Sequence, residues 1–513
     1  MGLNPVERRL VDLCDRWERF RADAAKRLLV WQVPDNAARL LQCFFEVQKH
    51  ETAYATGDLF IVFDAPFDHS IQYSRSLKEA LAGQYDASRD DLEREGVAPD
   101  WRFVPDEFPD SASGFVRSLR SFGSRHHQII GHLVAVLTPS RITDEGAFVG
   151  WLARALGAGI PERLRLVVID SLETPRLQRL IGPGQPLVCV DAPPVDALTT
   201  AQETFAQEGG IGPAAVFRNF LIGLVTLIEK GSADQAKVKA ADALAFARKA
   251  RWADQEVVIA MLMGGALLKE KRFGEAVDTY RSARQSACQA AAEGHPAGRQ
   301  LVLQTFFGEA AAHLAAGDAA RAAECYDQAA VVAQQIPNLI LAIEALRMGA
   351  FCHARIDRRD AAIERGSDAL LIGERLKPEA RPMTTLPLAA IDLLRVIEPE
   401  RVKLMEHIKQ RLAARTDQSR ETVERRALEL EQVNDARRFR AVEESFAQDA
   451  ARAEQDAARQ IDRVATTGGA EFRQIFAKAR ALLGERWPLA NLAAVPGAAR
   501  SGQAANAAGA AAS

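Results

Sequence analysis

Four segments of the chain repeat one spacing of small and large side chains, and this self-similarity limits the fold more than any other feature. Each copy has a small residue followed, four and then three residues later, by two further packing residues. The copies are Ala236, Ala240 and Ala243, then Ala276, Tyr280 and Ala283, then Ala322, Tyr326 and Ala329, and lastly Ala362, Gly366 and Ala369. Their first residues are 40, 46 and 40 residues apart. Repeats of this length bury their apolar face only by stacking on a neighbour, which predicts an α-solenoid.

The clearest copy runs from Met261 to Ala283 and places small Gly264 and large Leu267 ahead of its triad. It resembles the tetratricopeptide (TPR) repeat, and the resemblance covers roughly residues 214–376 of the chain. It implies antiparallel helix pairs whose small residues let two backbones approach, while an aromatic residue fills the gap to the next repeat. The residues assigned to repeat packing are Gly264, Ala276, Tyr280, Ala283, Ala322, Tyr326, Ala329, Ala362 and Ala369.

The TPR resemblance also implies a groove, lined by the first helix of each pair, that binds another protein. The candidate partner-binding residues on those helices are Gln304, Glu309, His313, Glu344, Arg347 and His353. His313 and His353 fall at equivalent positions of neighbouring repeats, and a polar groove contact or simple packing is expected there rather than a metal site. Charge reversal at Glu309 or Glu344 is expected to weaken partner binding without unfolding the chain.

The first two hundred residues have a different pattern, in which short apolar runs alternate with helical stretches. The runs are Leu28–Val33, Leu59–Phe63, His132–Thr138, Leu164–Ile169 and Leu187–Val190. They are rich in β-branched or aromatic residues and continuously apolar, which is typical of strands buried on both faces. We therefore predict a mostly parallel α/β sandwich over residues 1–205.

Three of these strands are followed by or end near an aspartate, at Asp64, Asp170 and Asp191. An apolar strand closing on an acid resembles the magnesium-side strand of a P-loop NTPase, and so does an α/β domain followed by a repeat array. The first strand-to-helix turn, residues 33–37, departs from that family because it lacks the glycines and lysine that bind phosphate. We therefore expect a degenerate domain without a Walker A loop. The alternative is a nucleotide-regulated signalling switch in which Asp170 and Asp191 hold magnesium.

Other chemistry is not indicated by the sequence. Asp68-His69 and the pair His126-His127 lack a third ligand at a recognisable spacing, and neither a GxSxG nor an HExxH motif occurs. We expect no catalytic residue, no metal site and no cofactor, and hence no enzyme.

Composition narrows the environment and the class of partner. The net charge of −3 gives no basic excess for nucleic acid, and no apolar run is long enough for membrane insertion. Six scattered cysteines and an N-terminus without a secretion signal predict a cytoplasmic protein.

The carboxyl third is highly charged. Residues 396–490 predict a long amphipathic helix or helical hairpin and a terminal amphipathic helix, with a coiled coil and homo-oligomer formation through this segment as a further expectation. Residues 491–513 are rich in Ala and Gly and predict a disordered tail.

With the repeats assigned to 206–395, the sequence describes a multidomain adaptor or chaperone for a client protein or assembly component. Cargo loading for a larger machine such as a secretion system is one role that fits.

Overall fold

A computed structural model of the protein describes residues 3–50, 54–104, 107–182, 184–207, 212–433 and 435–489. Its contacts group into two compact units. The first unit, called the α/β unit here, comprises Met1–Glu208 and Ala414–Ala453; the second, the repeat unit, comprises Gly209–Ala413 and Glu454–Ser513. The carboxyl-terminal helices are therefore divided between both units, whereas the sequence assigned residues 396–490 to a separate segment. The predicted tail at 491–513 lies outside the described residues.

Five strands form one parallel sheet in the order β2-β3-β4-β1-β5. They are β1 (Leu28–Val33), β2 (Leu59–Phe63), β3 (Leu133–Leu137), β4 (Leu164–Ser171) and β5 (Val188–Asp191). Each apolar run identified in the sequence overlaps one of them, so the strand predictions are confirmed, although β4 and β5 extend past the predicted ends. Continuous apolarity reflects burial of the central strands on both faces, as parallel sheets require.

Helices cover both faces of this sheet. They are α1 (Pro5–Ala22), α2 (Ala38–Val47), α3 (Ser70–Ala87), α4 (Arg89–Arg94), α5 (Ala112–Arg125), α6 (Glu145–Gly157) and α7 (Ala197–Gln207). One core, beneath α1 and α2, contains Trp17 and Trp31. The other, beneath α3, α5 and α6, contains Tyr73, Phe115 and Trp151. The start of α1 shows how sequence sets a boundary, because Asn4 and Glu7 form a reciprocal capping box there.

The repeat unit is a stack of antiparallel helix pairs, a helical repeat solenoid. Its helices are α8 (Pro213–Lys230), α9 (Ala233–Ala250), α10 (Ala253–Lys269), α11 (Phe273–Ala292), α12 (Gly298–Ala315), α13 (Ala319–Gln335), α14 (Leu339–Arg355), α15 (Arg359–Glu374) and α16 (Leu386–Ile397). Even-numbered helices from α8 to α14 are called first helices here, and the odd-numbered helix after each is the second helix of that pair. α19 (Ala470–Leu483) packs against α15 and α16.

The charged carboxyl segment forms a hairpin of α17 (Pro399–Leu430) and α18 (Ala436–Thr466), one of the two forms expected for it. Within the α/β unit, its apolar residues Val423 and Phe439 pack against Ile71. The Glu424 carboxylate accepts hydrogen bonds from the backbone N–H (2.5 Å) and Oγ (2.7 Å) of Ser70, at the start of α3. Helix N-termini stabilise negative charge, so the hairpin is held by charge as well as by apolar contact.

No helix among the described residues is long and apolar enough to cross a membrane.

Candidate functional site in the repeat array

The turns between paired helices align three repeats with one another. Lys271, Gly317 and Asp357 each have a positive φ of 58–84° and each lies five residues before the alanine that opens a packing triad. Left-handed backbone at the same offset means that the helix pairs share one turn geometry. Positions at a fixed distance before Ala276, Ala322 and Ala362 are therefore structurally equivalent.

The residues assigned to repeat packing are all buried between helices. Tyr280 shows why small neighbours are needed, because a Cβ placed on Gly264 or on Gly308 would lie 2.4 Å from its ring. Gly264 belongs to the same pair as Tyr280, and Gly308 belongs to the first helix of the next pair. The tyrosine ring thus fills the gap between successive repeats.

Among the first helices, α10 contacts α8 and α12, and α14 contacts α16, the helix that follows the last pair. Four rows of positions at the same sequence offsets on the first helices stay half-buried or exposed, and together we call them the open rows. They lie 18, 15, 11 and 8 residues before the alanines that open the four triads, at positions 236, 276, 322 and 362. The open rows comprise Arg218, Leu221, Val225 and Ile228 of α8, Val258, Met261, Gly265 and Leu268 of α10, Gln304, Phe307, Ala311 and Leu314 of α12, and Glu344, Arg347, Phe351 and Ala354 of α14.

The open rows change in chemistry along the stack. On α8, α10 and α12 they are mainly apolar, whereas on α14 they carry the ion pair Glu344–Arg347, with 2.7 Å between Oε1 and Nη2. Arg347 also lies 3.4 Å from Asp392 of α16. Burial alone would lower the pKa of Arg347, but the hydrogen bond and charge of Glu344 and the charge of Asp392 outweigh it and raise that pKa. Arg347 is therefore cationic throughout the physiological pH range.

The structure divides the six candidate partner-binding residues into two groups. Gln304, Glu344 and Arg347 lie on the open rows. Glu309, His313 and His353 are buried. Their burial differs from the groove position expected of them, because neighbouring helices cover the faces that carry them. For Glu309, charge reversal is consequently expected to destabilise the repeats, and it does not test partner binding.

Glu309 is held by two arginines of the preceding helix. Arg281 donates from Nε to Oε1 at 2.7 Å, and Arg284 donates from Nη1 to Oε2. Burial raises the pKa of the Glu309 carboxyl, but the two guanidinium hydrogen bonds outweigh burial and hold it below its ordinary value. The carboxylate is therefore charged at neutral pH. His313 lies on the same helix, with Nε2 3.6 Å from Glu309 Oε1.

His353 occupies the position in its repeat that His313 occupies in the preceding one. Its Nε2 lies 3.0 Å from Oδ2 of Asp327, whose Oδ1 accepts from Nε of Arg365 at 2.8 Å. The two histidines thus have separate acidic partners on different helices, and they do not share a site.

At the carboxyl ends of the strands, the aspartates have local partners. Asp170 is buried and accepts hydrogen bonds from the backbone N–H groups of Ser171, Arg176 and Leu177. Asp191 pairs with Arg16 at 2.5 Å, and Asp64 is exposed. Both carboxylate oxygens of Asp170 and one of Asp191 are therefore already hydrogen-bonded within the protein. These contacts give the magnesium hypothesis no support, and it stays a prediction.

A carboxylate from the segment after β4 lies at the turn that follows β1, where a nucleotide-binding domain places phosphate. The connection after β1 leads to α2 on one face, whereas that after β4 packs into the opposite core, so their ends form a topological switch point. There the Glu173 carboxylate accepts from the backbone N–H of Asp35 at 3.1 Å. A carboxylate at this N–H repels phosphate, and the degenerate NTPase interpretation of the α/β unit stays a prediction.

The remaining histidine candidates of the α/β unit have structural contacts. His69 caps α3 through Nδ1, which accepts from the Gln72 N–H at 3.3 Å, and Asp68 pairs with Arg141. His126 is buried beside the Tyr85 ring, whereas His127 is exposed.

The sequence does not single out Arg281, Arg284 or Cys325, which surround Glu309. Arg281 and Arg284 precede Glu309 by 28 and 25 residues, and no local motif links them. The repeated spacing of the triads is the signal that the sequence offers, because it aligns the repeats and thereby the buried faces of their helices.

No known family and no curated protein matches this chain. Among solved structures, it is similar to a Rap protein complexed with competence and sporulation factor, with a TM-score of 0.29 and 12% identity, over 89% of this chain and 99% of that one. It is also similar to the apo form of RapI, with a TM-score of 0.28 and 11% identity, over 88% and 98% of the two chains. At such TM-scores the likeness is not evidence of a shared fold or function, and the stacked helix pairs alone identify the solenoid.

Proposed function

We propose that this chain is a non-catalytic adaptor that holds a segment of another protein against the open rows of its repeat unit. The observation that carries the proposal is the recurrence of those half-buried or exposed rows, at the same offsets from the triads, on four successive first helices. Stacked repeats present one extended surface, and such surfaces suit linear segments of partners.

Side-chain chemistry supports a protein partner over a small ligand. Met261, Leu268, Phe307 and Leu314 leave part of their surface exposed, and half-exposed apolar rows bordered by polar groups are typical of protein contact surfaces. Glu344 and Arg347 lie at the other end of the rows. A partner segment with apolar side chains followed by charged ones would match this order.

The wider role depends on the partner. A chaperone, an assembly adaptor or a cargo-loading factor for a machine such as a secretion system would each use the open rows in this way. Self-association through the carboxyl hairpin is a separate prediction. Part of its apolar face, Val423 and Phe439, already packs inside the α/β unit.

Affinity capture with matched variants tests the proposal. The tagged full chain is compared with the double variant Gln304→Arg/Phe351→Asp on the open rows, and with Val238→Asp and Val331→Asp on second helices. Phe351 is 38% exposed, Val331 52% and Val238 70%, so each substitution adds charge at a partly exposed site. Circular dichroism and the melting temperature show whether each variant is folded.

The proposal expects a protein captured by the wild type and by both valine variants, and lost with the open-row variant. Equal capture by the folded open-row variant would place the binding surface elsewhere. Failure of the wild type to retain any protein from its own cells would contradict the adaptor function.

A further inference from the structure

Three buried side chains with metal-binding chemistry meet where α12 packs on α13. Glu309 and His313 are four residues apart on α12, so they project from the same face of the helix. Cys325 comes from α13, and the donor atoms of the three residues lie within 4.8 Å of one another. All three side chains are buried. The part of the chain that the structure describes contains one such group of three donors.

The cationic side chain of Arg281 already lies between two of these donors. The Arg281 guanidinium lies 2.7 Å (Nε) from Glu309 Oε1 and 3.5 Å (Nη2) from His313 Nε2. Arginine has only donor groups, so the lone pair of His313 Nε2 faces the guanidinium. This histidine tautomer is the one that ligates metal ions through Nε2.

We propose that Glu309, His313 and Cys325 bind a divalent transition-metal ion of the zinc class, which enters by displacing the Arg281 guanidinium. A mixed set of imidazole, thiolate and carboxylate is the donor chemistry that zinc uses in proteins. Bonds of about 2.0–2.3 Å in a tetrahedral site put ligand atoms roughly 3.3–3.7 Å apart. The Glu309–His313 separation of 3.6 Å already meets that condition, and Cys325 needs a small side-chain adjustment.

Displacement of Arg281 is feasible because its side chain is 46% exposed and extends from a neighbouring helix. Arg284 keeps its hydrogen bond to the second carboxylate oxygen and orients Glu309, as outer partners of metal ligands commonly do. Three protein ligands leave a fourth tetrahedral position on the side that Arg281 vacates. Water, or a carboxylate of a bound partner, is the ligand class that fits there.

Proton balance gives the site a pH dependence. Cys325 must lose its thiol proton to bind the metal ion, because the thiolate is the ligand. Binding therefore breaks the S–H bond, forms the sulfur–metal bond and releases that proton to solvent, while the uncharged imidazole keeps its Nδ1 proton. Affinity must fall as the pH is lowered, because protons compete for the thiolate.

The test uses the reduced, metal-free full chain titrated with Zn²⁺ against a chelating indicator, and with Co²⁺ by absorption spectroscopy. The wild type should bind one equivalent, and Co²⁺ should produce a thiolate-to-cobalt charge-transfer band. Cys325→Ser should abolish the band and weaken Zn²⁺ binding by about a hundredfold or more. The control Cys288→Ser, which removes an exposed thiol of α11, should change neither.

Arg281→Ala provides the sharper outcome, because removal of the competing guanidinium should tighten Zn²⁺ binding by about tenfold, close to 1.4 kcal/mol. Weaker binding by folded Arg281→Ala would overturn the displacement proposal. A wild-type cobalt spectrum without a thiolate band would overturn the site itself, and that measurement does not depend on the folding of any variant.

Discussion

The two units of this protein build their cores from opposite kinds of side chain. In the α/β unit, Trp31 lies fully buried with its ring centre 5.4 Å from that of Phe44 and 6.0 Å from that of Phe45. In the repeat unit, the buried positions of the helix crossings are mainly alanine and glycine, as at Ala276 and Gly264. Large rings fill a space between sheet and helices, whereas small residues let two helices approach closely.

The two units are therefore sensitive to opposite kinds of substitution, the α/β unit to smaller side chains and the repeat unit to larger ones. The α/β unit depends on buried apolar area, so truncation of a large side chain leaves a cavity. The repeat unit depends on short distances between helices, so an added methyl group causes overpacking.

The largest expected effect is that of Trp31→Ala, which should lower the free energy of unfolding by about 3–5 kcal/mol because it removes a fully buried indole. Urea unfolding followed by tryptophan fluorescence reports mainly on this unit, since Trp17, Trp101 and Trp151 remain there. Leu59→Ala, at a partly exposed position of β2, is the control and should cost far less. Equal losses would show that burial does not set the stability of this unit.

Gly264→Ala should destabilise the repeat unit by about 1–3 kcal/mol, because the new methyl group would meet the Tyr280 ring at 2.4 Å. Gly265→Ala is a matched control on the next residue of α10, where an added Cβ has no atom within 4 Å. It should be neutral or stabilising by up to about 1 kcal/mol, because alanine favours helix over glycine. Circular dichroism during urea unfolding measures both. Similar values for the two variants would refute the close-approach argument.

The smallest effect concerns pH and the α/β unit. Burial lowers the pKa of His69 from 6.5 to about 4, with Arg420 and Arg75 acting in the same direction and Asp68 against it. Below pH 6.5, His69 of the unfolded chain therefore binds a proton, whereas His69 of the folded chain stays uncharged until about pH 4. Its stabilisation is complete above pH 6.5 and is lost as the pH falls through that window.

Glu443, 3.3 Å from His69, opposes this trend because burial raises the pKa of its carboxyl. We expect a net loss of about 1 kcal/mol between pH 7 and pH 5. His69→Asn keeps the helix cap and removes the titrating ring, so its unfolding free energy should vary less over this range. An unchanged pH slope, measured by urea unfolding at both pH values, would contradict the assignment to His69.

Much of the fold could be predicted from local patterns. The apolar runs predicted all five strands, and the packing triads predicted the helix pairs, because both patterns reflect which faces are buried. The hairpin contact could not be predicted, since Ser70 and Glu424 are 354 residues apart. Nor could the faces of α12 be ranked, because Glu309 is buried by neighbouring helices and its partners Arg281 and Arg284 come from another helix. Once the turn geometry aligns the repeats, equivalent positions separate buried residues such as Glu309 from open-row residues such as Gln304.

Site-specific photo-crosslinking shows directly whether partners bind on the open rows. A photoreactive amino acid is placed at Gln304 or Phe351 on first helices, and at Val238 or Val331 on second helices, and the captured partner is added. We predict crosslinks from positions 304 and 351 and none from positions 238 and 331. Crosslinks confined to 238 and 331 would contradict it, because the partner would then lie on the second helices.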